Sequence, residues 1–199
     1  MSDIKKVYEW YQNKFLHTNH IRPMLKYLIK QNNEDSFHHN NLIGCEVGVD
    51  DGKHAFNMLY WLPTNKLYLI DSYEEYENYP YLKKGKPINP DIVYSIARKK
   101  LSRFGDKPVF IRKYSDKITN DDIKEGELDF CYIDANHTYR FVKNDIELFY
   151  TKVKNGGVLG GHDFGAGTEH GDVARAVLEF CDKHDLKLFG GVCDWWIKK

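Results

Sequence analysis

Five short apolar runs alternate with stretches of helical spacing, and this alternation limits the chain to very few folds. The runs are Leu42 to Val47, Leu67 to Ile70, Val109 to Arg112, Leu128 to Ile133 and Val158 to Gly160, the last starting from the turn Asn155-Gly156-Gly157. Each is too short for a stable helix and is bounded by turn residues, so each reads as a buried strand. Between them, Lys53 to Leu62, Asp91 to Phe104, Thr138 to Val153 and Val173 to His184 repeat apolar residues at helical intervals; in the third, Phe141, Val142, Ile146, Phe149 and Tyr150 form one stripe. Strands joined through helices cross over right-handedly, make a parallel sheet and leave ligands at the carboxyl ends of the strands. Two closing segments, Leu186 to Phe189 and Val192 to Ile197, flank Gly190-Gly191 and predict a terminal antiparallel hairpin. The expected fold is α/β, with a mostly parallel seven-stranded sheet and helices on both faces.

Upstream, Ile4 to Leu16 and Ile21 to Lys30 predict two preliminary helices, with Pro23 suited to a first turn. Tyr73 to Pro90, rich in Tyr, Glu, Lys and Pro, has no sustained period and reads as an exposed loop or a short helical excursion. The 199 residues suit one domain, with 1–41 as a helical extension and 42–199 as the core. No apolar run approaches the ~20 residues of a membrane span, and Met1 to Glu9 lacks the apolar stretch of an export signal. A cytoplasmic location is expected. Lys plus Arg and Asp plus Glu stand at 29 each, without a basic stripe, so nucleic acid is not an expected partner. Cys45, Cys131, Cys181 and Cys193 form no C-x-x-C pair and read as free thiols.

The chemistry should lie just after the strands. The first ends in Glu46-Val47-Gly48-Val49-Asp50-Asp51-Gly52, an E-x-G-x-x-x-G turn. Its glycines allow a sharp bend and close approach of a ligand. The spacing differs from the pyrophosphate-binding G-x-G-x-x-G, and acidic Glu46, Asp50 and Asp51 repel anions while tolerating a cationic sulfonium amino acid. The second strand ends in Asp71, where a carboxylate can accept both ribose hydroxyls of an adenosine. The fourth strand delivers Asp134-Ala135-Asn136-His137 and the fifth Gly160-Gly161-His162-Asp163-Phe164.

Together, Leu128 to Phe164 resembles class I S-adenosylmethionine methyltransferases whose strands end in I-D-x-x-H-x-Y and G-G-x-x-x-G-H-D. The E-x-G-x-x-x-G turn, Leu67-Tyr68-Leu69-Ile70-Asp71 and Asp194-Trp195-Trp196-Ile197 extend that resemblance over most of the chain from Ile43. It implies a Rossmann-like methyltransferase fold in which Glu46, Gly48 and Gly52 shape the methionine pocket. Asp71 would hold the ribose and Ser115 would lie near the adenine. Asp51, Ser72, Asp134 and Ala135 would complete the cofactor contacts. The related enzymes include metal-assisted O-methyltransferases of sugars and natural products, some with a metal-binding Asp three residues before a basic His. Asp134 and His137 match that spacing, and Asp163 matches a second acidic position. His162 stands where the neighbouring residue can be acidic, which departs from the pattern.

Methyl transfer needs an in-line nucleophile, and a neutral alcohol is a poor one until a base takes its proton. His137, with an ordinary pKa near ~6.5, suits that task, and Asp134, His162 and Asp163 would hold a divalent Mg²⁺ or Mn²⁺. In the alternative reading, His137 and His162 only cap loops. The expected activity is O-methylation of a small-molecule or sugar hydroxyl, in a chain that can form a homo-oligomer. A nicotinamide-dependent oxidoreductase and a non-catalytic binding module are the competing readings. Tyr73, Tyr76, Tyr79 and Tyr81 form either an aromatic wall over the acceptor or packing contacts. Trp195 and Trp196 read as packing residues, and His38 and His39 as solvated.

Overall fold

In the computed structural model, which describes residues 21–33, 41–74, 82–83, 86–87, 89–165, 171–191 and 193–199, the predicted strands form close to their expected places. They are β1 (Leu42–Val47), β2 (Thr64–Ile70), β5 (Pro108–Ile111), β6 (Leu128–Ile133), β7 (Val153–Gly161), β8 (Leu188–Gly191) and β9 (Asp194–Lys198). Two short strands, β3 (Leu82–Lys83) and β4 (Lys86–Pro87), pair antiparallel inside the stretch expected to be loop or a short helical excursion. The helices are α1 (Pro23–Asn33), α2 (Lys53–Trp61), α3 (Pro90–Leu101), α4 (Tyr139–Lys152) and α5 (Gly171–Lys183). The expected helix over residues 4–16, His38, His39 and the tyrosines 76, 79 and 81 lie outside the described residues.

The main sheet has the order β5-β2-β1-β6-β7-β9-β8. All pairs are parallel except those of β9, which runs antiparallel to both β7 and β8. Strand alternation sorts the core into two layers. Phe130, Tyr132 and Trp196 face α1, α2 and α3, whereas Cys131, Ile133 and Trp195 face α4 and α5. Both tryptophans pack on the sheet, and Trp196 stacks on Tyr27 at 5.3 Å between ring centres. The ring of Phe130 fills the space a side chain at Gly44 would take, so β1 and β6 meet closely at the middle of the sheet. Cys45 and Cys131 lie opposite one another in this pairing, buried and reduced.

The expected turn at Asn155-Gly156-Gly157 does not precede the fifth strand but lies within it. β7 begins at Val153, and its register against β6 jumps from Leu128–Val153 to Phe130–Val158. The extra residues are held as a bulge, with Gly156 at φ +83° and its N–H donated to the Lys199 carbonyl. Among the described residues, no helix is long and apolar enough to cross a membrane.

Asp145 lies on the buried face of α4, beneath the 3₁₀ turn Ser115–Lys117. Burial pushes its carboxyl up to about 7, against the pull of a hydrogen bond with Ser115. A carboxyl whose folded-state pKa is raised contributes most at low pH, and that contribution fades as pH rises from its ordinary range through about 7. The loss amounts to at most ~4 kcal/mol. Asp145→Asn is therefore expected to raise the urea midpoint at pH 8.5 and to change it little at pH 4; equal effects at both values would refute the assignment.

Candidate active site

The carboxyl ends of β1, β2 and β6 are tied together by backbone hydrogen bonds. Gly48 N–H donates to the Ile70 carbonyl at 2.8 Å, and Asp134 N–H donates to the Val47 carbonyl at 2.7 Å. Gly48 takes φ +86°, and a Cβ there would collide with the backbone of Asp134 and Ala135. Gly52, at φ +73°, opens α2.

Asp71 fastens this turn from the neighbouring strand. Its Oδ2 accepts the N–H groups of Val49 at 2.9 Å and Asp50 at 3.0 Å, and its Oδ1 accepts that of Tyr73 at 2.9 Å. Burial raises its pKa while these amide bonds pull the other way. Asp71 thus shapes the glycine turn, a task the sequence did not reveal, and each carboxylate oxygen keeps acceptor capacity for a ribose hydroxyl. Tyr73 is buried against Tyr94 and donates its hydroxyl to the Asp50 carbonyl at 3.0 Å. It is a packing residue. Ser72 is buried, with its hydroxyl accepting the Glu74 N–H at 3.3 Å. Ser115 sits over Asp145, and Asp51 accepts the Lys53 N–H at 3.1 Å while pairing with Lys100.

Beside the glycine turn opens a cavity of about 240 Å³, lined by Arg22, Glu46, Gly48, Asp50, His54 and Asp134 among others. Charges of both signs border it, which suits a zwitterion. Its floor is polar and buried. Glu46 Oε1 lies 3.0 Å from His54 Nδ1, yet burial raises the Glu46 pKa strongly and lowers that of His54 to about 3. Burial thus works against the charged form of both partners in this contact. Glu46 Oε2 and His54 Nε2 are buried without partners among the described residues.

On the other side of Asp134 lies the cluster expected to carry the chemistry. His137 Nε2 is 2.9 Å from Asp163 Oδ2 and 3.8 Å from Asp134 Oδ1. His162 Nδ1 is 3.0 Å from Asp163 Oδ1. Asp134 and Asp163 raise the His137 pKa to about 9, so at neutral pH its imidazole is a cation and not the free acceptor that an ordinary value near ~6.5 implies. Asp163 raises His162 as well. In return, bonds from the two histidines hold Asp163 well below the usual carboxylate range despite its burial. Asp163 itself adopts φ +60°.

Asp134, His162 and Asp163 each offer a ligand atom, all within 4.8 Å of one another. Metal–ligand bonds of ~2.1 Å place opposed donors about 4.2 Å apart, so two carboxylates and an imidazole at this spacing fit a small divalent cation after slight closure.

Four contributors escaped the sequence reading. Arg22, just before α1, donates Nη1 to Asp134 Oδ2 at 2.6 Å and to the Tyr132 hydroxyl at 2.8 Å. Burial opposes its charge, but Asp134 and Tyr132 outweigh burial and raise its pKa. Tyr132 donates to Asp194 Oδ1 at 2.8 Å, and Asp194 Oδ2 accepts the Met24 N–H at 3.0 Å. His54, the fourth, did carry a signal: with Asn57 it places polar side chains on the buried face of α2.

Residues 45–164, more than half the chain, match the Methyltransf_24 family model, described as a methyltransferase domain. No curated protein matches the sequence. The fold is similar to that of a candidate caffeoyl-CoA O-methyltransferase from Staphylococcus aureus, with TM-score 0.63 and 13% identity, covering 100% of this chain and 93% of that one. It is similar to the O-methyltransferase NovP, with TM-score 0.62, 16% identity and coverage of 88% and 79%. It is also similar to an rRNA methylase from Streptococcus thermophilus, with TM-score 0.54, 12% identity and coverage of 79% and 85%. At such identities the likeness concerns the fold, while the matched family model concerns the sequence itself. The chain belongs to the methyltransferase-domain family and is a class I, S-adenosylmethionine-dependent methyltransferase.

Proposed function

We propose that the protein methylates a hydroxyl of a small molecule or sugar unit, with His137 as the base. The observation that carries this reading is the imidazole bracketed by Asp134 and Asp163, on the same strand-end loop that borders the 240 Å³ cavity. The zwitterionic end of S-adenosylmethionine suits that cavity, with Arg22 for the carboxylate and acidic Asp50 for the ammonium. Asp71 and Ser115 lie toward the nucleoside, and Ser72 and Ala135 border the same loops.

In the reaction, the hydroxyl oxygen attacks the methyl carbon. The carbon–sulfur bond breaks, its electron pair returns to sulfur as the thioether of S-adenosylhomocysteine, and the hydroxyl proton passes to the neutral form of His137, whose share grows as pH rises toward about 9. Asp134 and Asp163 stabilise the resulting imidazolium. When bound, a divalent cation supplies Lewis acidity that lowers the hydroxyl pKa; Asp134, His162 and Asp163 are the residues that would hold it, the two carboxylates favouring Mg²⁺ or Mn²⁺ and the imidazole shifting the choice toward Mn²⁺, Fe²⁺ or Zn²⁺.

Similar folds serve O-methyltransferases and rRNA methylases alike, so the acceptor has to be argued from the site. A base held between two carboxylates suits a hydroxyl proton, and the balanced formal charge of the chain offers little to an RNA backbone. The test is incubation with methyl-labelled cofactor and a panel of glycosides, phenols and RNA, with Mn²⁺, Mg²⁺ or EDTA. Label recovered as a methyl ether is expected. Label recovered only in RNA bases would overturn the reading.

A further inference from the structure

We propose that Arg22 couples the two halves of the site: it masks Asp134 while the cavity is empty and releases that carboxylate to a divalent cation when the cofactor's amino-acid end arrives. This rests on the function proposed above. Among the described residues, Arg22 touches both regions: it lines the cavity with Glu46 and Gly48, and it holds Oδ2 of Asp134 at 2.6 Å. Asp134 is in turn one of the three clustered candidate ligands.

The guanidinium is held in place rather than loosely draped. Its Cζ lies 5.2 Å from the centre of the Tyr132 ring, the Tyr132 hydroxyl is fixed by Asp194, and Asp194 also anchors the start of α1 through the Met24 N–H. Both of Arg22's side-chain hydrogen bonds within the described residues leave from Nη1. A guanidinium has five N–H donors in a rigid fork, so its Nη2 and Nε edge can take a second carboxylate in the two-pronged manner. A carboxylate there shares the positive charge that Asp134 otherwise commands and offsets its repulsion of an incoming divalent ion. The adenosine portion of the cofactor has no group that does this.

Calorimetric titration of Mn²⁺ into the whole protein tests the coupling, with three states compared: no nucleoside, saturating S-adenosylhomocysteine, and saturating 5′-methylthioadenosine, which carries the nucleoside and sulfur without the amino-acid end. S-adenosylhomocysteine is expected to tighten Mn²⁺ binding roughly 5- to 100-fold, and Mn²⁺ to tighten S-adenosylhomocysteine by the same factor, because coupling is reciprocal. Methylthioadenosine is expected to leave Mn²⁺ affinity unchanged. In Arg22→Met, Mn²⁺ should bind more tightly without cofactor, and S-adenosylhomocysteine should weaken and lose its effect on the metal. Arg22→Lys, which keeps a charge but not the fork, should retain part of the masking and little of the coupling; it also serves if the methionine variant does not fold.

If both ligands bind with S-adenosylhomocysteine and methylthioadenosine acting alike on Mn²⁺, or if coupling persists in Arg22→Met, this inference fails and the proposed activity stands. If S-adenosylhomocysteine does not bind at all, the cofactor reading fails and carries the inference with it.

Discussion

Gly48→Ala is expected to weaken cofactor binding roughly 100-fold while leaving a folded, less stable protein. An alanine held at φ +86° costs ~1–2 kcal/mol in backbone strain alone. The added methyl would also overlap the carbonyl of Asp134, and relief of such overpacking costs about 1–3 kcal/mol more. Relief requires the turn after β1 and the loop after β6 to part, breaking the Asp134 to Val47 bond and moving both walls of the cavity. A combined cost of ~3 kcal/mol corresponds to roughly a 100-fold or greater loss of affinity. Calorimetry with S-adenosylhomocysteine, paired with a thermal melt, reads both effects. Affinity within about threefold of the parent would show that the turn does not set the cavity.

His137→Ala should have the largest effect on turnover. Loss of a positioned base costs about 10²- to 10⁴-fold in rate, whereas S-adenosylhomocysteine should bind almost as before, because His137 does not border the cavity. The charge state gives a second readout. With Asp134 and Asp163 raising its pKa to about 9, the imidazole is protonated at pH 7 and becomes an acceptor only as pH rises through that value. An NMR titration in EDTA should therefore place the His137 midpoint near 9, and Asp163→Asn should lower it. The same linkage predicts that the ion pairs of His137 add stability at pH 6, a contribution lost progressively as pH rises from the ordinary ~6.5 through about 9. A midpoint near the ordinary ~6.5, together with unchanged turnover in His137→Ala, would remove His137 from the chemistry.

The fold was readable because its signals are local. β1 and β6 are apolar runs between turn residues, and their boundaries coincide with the expected ones. β2 begins three residues before its apolar run, at Thr64, because the backbones of Thr64 and Lys66 pair with β1 whatever their side chains, with Asn65 passed over at a register shift. β7 hid its start for a related reason. Gly156-Gly157 reads as a turn, but the C-terminal Lys199 satisfies its backbone groups and lets the strand run through. The site divides along the same line. Gly48, Asp71, Asp134, His137, His162 and Asp163 follow strands, and Glu46 is the next-to-last residue of β1, where the topology says to look. Arg22 meets Tyr132 across 110 positions of sequence and Tyr132 meets Asp194 across 62, and no period or spacing marks such a meeting. The charge on His137 was missed for a further reason: that Asp163 Oδ2 stands 2.9 Å from its ring is set by how two loops pack, not by either loop alone.

Asp194 opens β9 and grips both the Tyr132 hydroxyl and the Met24 N–H, a residue 170 positions earlier. A chain lacking β9 keeps Asp134 and Tyr132 as partners of Arg22 but loses the carboxylate that fixes both the Tyr132 hydroxyl and the start of α1. β9 thus braces the first helix against the end of β6, although it contributes no wall to the cavity itself.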